Sequence, residues 1–364
     1  MADKTISTPI TEMFGIKHPV ILAGMFSAAG PRLAAAVTNA GGLGVIGGVG
    51  YTPKMLREQI RELKAALTDP NAPFGVDLLI PKVGGTARKT NYDYMKGQLS
   101  ELIDIIVEEK TALFVCATGV PPLSAVERLH GAGIPIMNMS ILTCFLEMVG
   151  HPKHVIKALD AGVDIICAQA GEGGGHTGDT PASVLIPACV DIVKGKTSPL
   201  TGKPVYVVGA GAVVDGRGLA ANLAWGAQAV WVGTRFVASV EASASPRHKE
   251  MITKAGFGET VRTLIYTGRP ARVLKTSYIE EWEGKRQEEL RELLDQGIIP
   301  HQKELETHPE KSISGMWWIM GEGCALIDDV VPAREIVQGM VGEAVGVLEG
   351  GYRMLGGGGG GAKL

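Results

Sequence analysis

Short apolar runs bounded by glycine or proline recur along the chain at Val20–Ala23, Gly44–Gly47, Phe74–Leu79, Ala112–Ala117, Ile134–Asn138, Val163–Gln169, Val205–Val208 and Ala229–Val232. Near-continuous Val, Ile and Leu of this length suits parallel strands buried on both faces. Between the runs the apolar residues switch to helical spacing, as in Leu56, Ile60, Leu63 and Leu67, and in Leu99, Leu102, Ile103 and Ile106. Eight strand–helix alternations predict an α/β protein, specifically a (β/α)8 TIM barrel, because eight is the number that closes. Spacing alone leaves a doubly wound open sheet as the alternative.

After the eighth run the periodicity changes. Ser239–Asp329 holds the charged helix candidate Glu280–Gln296, the tryptophans Trp282, Trp317 and Trp318, and a loop at Ile298–Pro309. This predicts an inserted, mainly helical lid over the strand ends. A last helical pattern, Ala333–Leu348, places Ile336, Met340, Val341, Ala344 and Leu348 on one side and predicts the helix that closes the barrel. The expected organisation is a cofactor-binding barrel at 1–236, the lid at 237–330, the closing helix at 331–355, and a flexible tail at 356–364.

Composition narrows the function classes. With 35 Lys and Arg against 38 Asp and Glu, and no basic stripe interleaved with aromatics, nucleic acid is not an expected partner. The segment Met1–Pro9 is polar, so no secretory signal is read there. The most apolar window, Ile134–Val149, is interrupted by Pro135, Asn138, Ser140, Thr143 and Glu147, so no membrane span is read either. Five cysteines, Cys116, Cys144, Cys167, Cys189 and Cys324, form no C-x-x-C and lie mostly in apolar runs, as reduced packing residues do. The tail runs through Gly356–Gly361 to Ala362-Lys363-Leu364, which is similar to the S-K-L class of peroxisomal address. The expected location is therefore the peroxisome, through an import receptor, or the cytoplasm.

The chemistry concentrates in the loops that follow the predicted strands, where barrel active sites lie. The sixth run ends in Gln169-Ala170-Gly171-Glu172-Gly173-Gly174-Gly175-His176, which sets one imidazole among glycines where it can act as an acid or base. The seventh run leads into Gly209-Ala210-Gly211-Ala212 and the helix start Asp215-Gly216-Arg217-Gly218, and the eighth into Gly233-Thr234-Arg235. Paired small-residue loops at these places, with a helix terminus behind them, suit a phosphate. A dinucleotide fingerprint is disfavoured, because Val214 falls where its third glycine belongs. Ala23-Gly24-Met25 at the end of the first run lets a flat ring approach, so a planar cofactor with one phosphate, FMN, fits the set. Asp77, in the third run, is placed to accept a hydrogen bond from the ring. No metal site is read: His18, His130, His151, His154, His248, His301 and His308 lack ligand spacing and read as structural or exposed.

The glycine–histidine loop, Ala23-Gly24-Met25, Asp215-Gly216-Arg217-Gly218, Gly233-Thr234-Arg235-Phe236 and Tyr266-Thr267-Gly268-Arg269-Pro270-x-Arg272 together resemble the nitronate monooxygenase family, formerly called 2-nitropropane dioxygenases, most closely its fungal type. The resemblance runs over nearly the whole chain up to the tail. Ala212 departs from it, standing where the family usually has a second glycine. The resemblance implies FMN-dependent oxidation of alkyl nitronates by O2 to a carbonyl compound and nitrite. It also implies His176 as the base that takes the α-proton of a neutral nitroalkane. FMN would be held by Ala23, Gly24, Met25, Asp77, Gln169, Gly171, Gly209, Gly211, Ala212, Gly233 and Thr234. The expected partners are the small nitro compound and O2, with a second copy of the chain as a further candidate. Two other enzyme readings stay open: an FMN-dependent enoyl-thioester reductase using NAD(P)H, and a non-redox phosphate-binding lyase or isomerase. Arg269, Arg272 and Lys275 read first as lid-fixing salt-bridge residues, and Trp317 and Trp318 as packing.

Overall fold

Val, Ile and Leu at consecutive positions leave a strand without a polar face, so each must be covered on both sides. The computed structural model describes residues 5–81, 83, 89–139 and 152–355. Its strands are β1 (Val20–Leu22), β2 (Gly44–Gly48), β3 (Phe74–Leu79), β4 (Leu113–Ala117), β5 (Ile136–Met139), β6 (Ile165–Gln169), β7 (Gly175–His176), β8 (Tyr206–Ala210), β9 (Ala229–Val232), β10 (Thr260–Thr263) and β11 (Ala271–Leu274). Eight of these, matching the eight apolar runs, form one parallel sheet in the order β1-β9-β8-β6-β5-β4-β3-β2. A parallel bridge between Ile21 and Leu43 joins the two ends, with the Leu43 amide donating to the Val20 carbonyl at 3.0 Å. The ring is a (β/α)8 barrel, and this bridge disposes of the open-sheet alternative.

Alternation along the strands sorts the core into two layers. Ile21, Val45, Val115, Met137, Ile165, Cys167, Val208 and Trp231 pack inside the barrel, while Val20, Leu22, Ile46, Val76, Phe114 and Ile136 pack outward against the helices. The helix Pro9–Phe14 plugs the amino end, because its Ile10 and Phe14 belong to the interior cluster. Thr8 caps that helix and donates its hydroxyl to the Gln228 carbonyl at 2.7 Å, pinning the plug to the start of β9. The cysteines Cys116, Cys167, Cys189 and Cys324 are free and buried, as expected of packing thiols, while Cys144, His151 and the tail 356–364 lie outside the described residues.

The lid is not purely helical. β10 and β11 form an antiparallel hairpin, and β11 also pairs with β7, so the glycine loop of the barrel supplies the third strand of a lid sheet. The single helix expected over Glu280–Gln296 is two, Ser277–Lys285 and Gln287–Gln296. The break falls at Arg286, whose guanidinium lies 3.5 Å over the Trp282 ring and pairs with Glu289 and the buried Glu304. Trp317 stacks on Tyr266 at 5.1 Å and Trp318 meets His248 edge-on at 5.6 Å, both as packing residues. The closing helix runs Ala333–Arg353 and buries Ile336, Met340, Val341 and Ala344. Among the described residues, no helix is long and apolar enough to cross a membrane.

Beneath the barrel, the fully buried Asp164 carboxylate accepts from the Ser198 hydroxyl at 2.6 Å, the Ile136 amide at 2.8 Å and His130 Nε2 at 2.9 Å. That face of a barrel serves stability rather than catalysis, and it gives His130 the structural role read from the sequence. Asp164→Ala strands a buried amide and hydroxyl together, so we expect a loss of about 3 kcal/mol in urea unfolding. A change under about 1 kcal/mol would show that the cluster does not tie the barrel.

Candidate active site

Strand β6 ends at Gln169, and the chain then turns back through the glycines to β7. Gln169 holds this return: its amide nitrogen donates to the His176 carbonyl at 2.7 Å. Gly171 donates its amide to the Thr180 carbonyl at 2.8 Å, and the Arg272 Nε donates to the Gly171 carbonyl at 2.9 Å. Glu172 caps the following helix at the Ala182 amide, 3.1 Å away. Gln169 and Gly171, expected to touch a cofactor, are therefore engaged in building the loop that presents His176. Gly209 is engaged elsewhere too: a Cβ there would meet Asn222 Oδ1 at 1.8 Å, on the helix side of β8.

His176 sits half-buried, with Ala271 of the lid as its strand partner. Its Nε2 lies 2.9 Å from the Thr267 hydroxyl. Burial, with the nearby Arg269 charge adding to it, lowers the imidazole pKa to about 4, so His176 is neutral at physiological pH. Arg269 itself is buried and is fixed by Asn91 Oδ1, at 2.9 and 3.1 Å, and by the Thr118 carbonyl at 3.2 Å. Arg272 pairs with Glu322 at 2.9 Å and Lys275 with Glu280 at 3.0 Å, so the lid-fixing reading holds for both. Arg269 differs, since its charge acts on the imidazole. Thr267 is legible in the sequence only as part of the Tyr-Thr-Gly-Arg-Pro run, since 91 residues separate it from His176, and Asn91, 178 positions from Arg269, carries no local signal.

The barrel mouth fits a flat phosphorylated group. Asp77 lies buried inside the barrel, its Oδ1 without a hydrogen-bond partner among the described residues. Burial pushes its carboxyl well above the usual carboxylate range. That shift favours the protonated carboxyl, a form that can donate as well as accept. Gly24 passes directly over it, since a Cβ on Gly24 would fall 2.4 Å from Asp77 Oδ2. A Cβ on Gly233 would meet only Met25 Sδ at 3.5 Å and Ala23 Cβ at 3.6 Å, leaving room at the junction of the β1 and β9 ends.

One expected phosphate element is not free. The helix Gly216–Ala224 has its amino end taken by carboxylates, Asp215 accepting from the Gly218 amide at 3.0 Å and Glu343 from the Gly216 amide at 2.7 Å. The short helix Thr234–Val237, preceded by Gly233, has no side-chain cap. The Phe236 and Val237 amides donate to the Gly233 carbonyl at 2.8 and 3.1 Å, so among the described residues the Thr234 and Arg235 amides are the ones open to an anion, an arrangement barrels use after the eighth strand. Arg235 turns away to Asp329 at 2.6 Å. Gly211 and Ala212 complete the cradle with φ of 108° and 52°, a left-handed turn that costs an alanine roughly 1 kcal/mol. The lid closes over the cradle: the Gly321 amide donates to Thr234 Oγ1 at 3.0 Å, and Gly323 packs on Ala212.

A family model described as nitronate monooxygenase matches residues 7–343. One curated relative, from Mycobacterium tuberculosis, is named (3aS,4S,5R,7aS)-5-hydroxy-7a-methyl-1-oxo-octahydro-1H-indene-4-carboxyl-CoA dehydrogenase. It is 35% identical over 280 residues, covering 76% of this chain and 69% of that protein. A probable nitronate monooxygenase of Staphylococcus saprophyticus is 30% identical over 301 residues, covering 76% of this chain and 81% of the relative. Among solved structures, FabK from Thermotoga maritima superposes with a TM-score of 0.74 at 30% identity, covering 96% of this chain and 100% of the other. A nitroalkane oxidase from Streptomyces ansochromogenes superposes at 0.73 with 23% identity, covering 94% and 99%.

The Gly233 geometry separates ligand loss from misfolding. Because its Cβ direction meets only ordinary contacts, Gly233→Ala is expected to keep the melting temperature of the ligand-free protein while lowering the bound flavin, with Gly233→Val lowering it further. Full flavin occupancy in both variants, measured by absorbance after gel filtration, would place the phosphate elsewhere.

Proposed function

The chain belongs to the nitronate monooxygenase family, and we propose that it is an FMN-dependent enzyme that oxidises alkyl nitronates with O2 to a carbonyl compound and nitrite. The observation that carries this reading is a neutral His176 under the charge of the buried Arg269, and the orphaned Asp77 oxygen and open Gly233 turn at the same barrel mouth support a flat phosphorylated cofactor there. Ala23, Gly24, Met25, Asp77, Gly211, Ala212, Gly233 and Thr234 would hold FMN, which supplies the passage of electrons from substrate to O2. The protein's own share is to bind, orient and shield.

A nitronate is an anion that has already lost its α-proton. The Arg269 charge favours it at His176, which the pairing of the glycine loop with the lid sheet holds in place. A neutral nitroalkane needs a base. His176 is in the accepting form, but an imidazole with a pKa near 4 pulls weakly on a carbon-bound proton. We therefore propose nitronates as the better substrates and nitroalkanes as slower ones.

A second reading is favoured by one observation, the 35% identity to a protein named as a dehydrogenase of a CoA thioester. In that reading the substrate is an acyl thioester and the other reactant a nicotinamide, NAD(P)+ where the thioester is dehydrogenated and NAD(P)H where an enoyl thioester is reduced. The same His176–Arg269 pair would then face a carbon next to a thioester carbonyl.

His176→Asn distinguishes binding from proton removal. Turnover of a neutral nitroalkane should fall by ~10²–10⁴-fold, the usual contribution of a positioned base, while that of the nitronate falls only ~10-fold and flavin stays bound. Equal losses for both substrates would remove the base role. The wild-type pH profile offers an independent check. Because the accepting form is lost only as pH falls through about 4, kcat/KM for the nitroalkane should show no acid limb near 6.5. In the same interval the unfolded chain binds a proton that folded His176 refuses. Stability should therefore decline as pH drops from about 6.5 towards 4. An acid limb centred at 6.5 would contradict the assignment.

A further inference from the structure

The Thr267 hydroxyl is the meeting point of three contacts. Its oxygen lies 2.9 Å from His176 Nε2, 3.2 Å from the Arg269 carbonyl and 3.3 Å from the Arg269 amide nitrogen. The amide can only donate and the carbonyl can only accept. A hydroxyl has one proton and two lone pairs, so only one assignment satisfies all three contacts. The proton goes to the Arg269 carbonyl, one lone pair accepts from the Arg269 amide, and the other accepts from His176 Nε2–H. If the hydroxyl instead donated to Nε2, two oxygens would face each other at 3.2 Å with no proton between them.

We propose that Thr267 is a positioning residue that locks His176 as the Nε2–H tautomer, leaving Nδ1 as the nitrogen that carries the lone pair. Nδ1 has no protein hydrogen bond among the described residues, so it is the ring atom left to meet a substrate. The strand pairing of His176 with Ala271 fixes the backbone on both sides of the contact. The imidazole therefore cannot swing Nδ1 onto Thr267 without breaking the ladder or flipping its ring. If Nδ1 takes up a proton, Nε2–H keeps donating to Thr267, so the ring turns over with no rearrangement of its anchor. The kinetic consequence rests on His176 acting as the base; the tautomer does not.

The test is NMR of the flavin-loaded protein labelled with 15N-histidine, at pH 8, with two-bond 1H–15N correlations and His176 assigned by its absence in His176→Asn. The expected spectrum has Nε2 protonated and Nδ1 bare. Thr267→Val should give a mixture of tautomers or a switch to Nδ1–H, and Thr267→Ser should restore the wild-type pattern. In parallel, Thr267→Val should lower kcat for a neutral nitroalkane by ~10-fold with little change in KM, and Thr267→Ser should remain near wild type. A wild-type Nδ1–H tautomer, or a Thr267→Val protein that keeps pure Nε2–H, would overturn the proposal. So would a Thr267→Ser enzyme as slow as Thr267→Val. Should Thr267→Val fail to fold, the wild-type and Thr267→Ser spectra still decide. If the spectra are as expected while no nitro compound is oxidised, the reading of the function fails and the tautomer assignment stands.

Discussion

The site depends on how closely the backbone of the glycine loop approaches the lid. A Cβ on Gly174 would lie 2.7 Å from the Gly321 amide nitrogen, and one on Gly321 would lie 2.5 Å from the Glu172 carbonyl. Only a pair of glycines permits this contact. Once it forms, β7 can pair with β11, the Glu322 amide can donate to the Glu172 carbonyl at 2.9 Å, and Arg272 can reach both Gly171 and Glu322. His176 thus belongs to the barrel by chain and to the lid by hydrogen bonding. The same lid segment reaches the phosphate cradle through Gly321 and Gly323. One close approach therefore positions the imidazole and covers the turn at Gly211 and Ala212, where the proposed cofactor's phosphate would lie.

Electrostatics follow from that enclosure. Removal from water raises the Asp77 carboxyl, favouring its protonated form, and lowers the His176 imidazole to about 4, which leaves that ring neutral at physiological pH. Arg269 stays charged, because a guanidinium does not give up its proton at accessible pH. A neutral imidazole beside the Arg269 charge suits an anion better than a cation. This is the ground for proposing the nitronate, rather than its conjugate acid, as the substrate.

The barrel was legible because its signal is local and repeated: every buried parallel strand had to be an uninterrupted apolar run, and each run is where the sequence places it. The lid was less so. Its hairpin strands Thr260–Thr263 and Ala271–Leu274 carry arginines and threonines and take their third partner from residues nearly a hundred positions away. The apolar and charged spacing of Glu280–Gln296 looks continuous, but Arg286 finds better partners in Trp282 and Glu304 than a helix interior offers. The His-glycine loop and the Gly233 turn could be found as motifs, because glycine and a lone histidine at a strand end are rare enough to notice. The cap on Gly216–Ala224 could not be, since Glu343 comes from a helix that begins more than a hundred residues later. Thr267 and Arg269 were visible only as a motif, with no local pattern to tie them to His176.

The central claim is that the half-buried imidazole and the buried cation serve a nitronate rather than a thioester. The most direct measurement is an anaerobic titration of the purified flavin-loaded protein, followed by visible absorbance, first with an alkyl nitronate and separately with NADH and NADPH. Bleaching of the flavin band by the nitronate, recovery on admitting air, and no response to either nicotinamide is the predicted result. Rapid bleaching by NADH or NADPH with an inert nitronate would contradict it and assign the site to thioester chemistry.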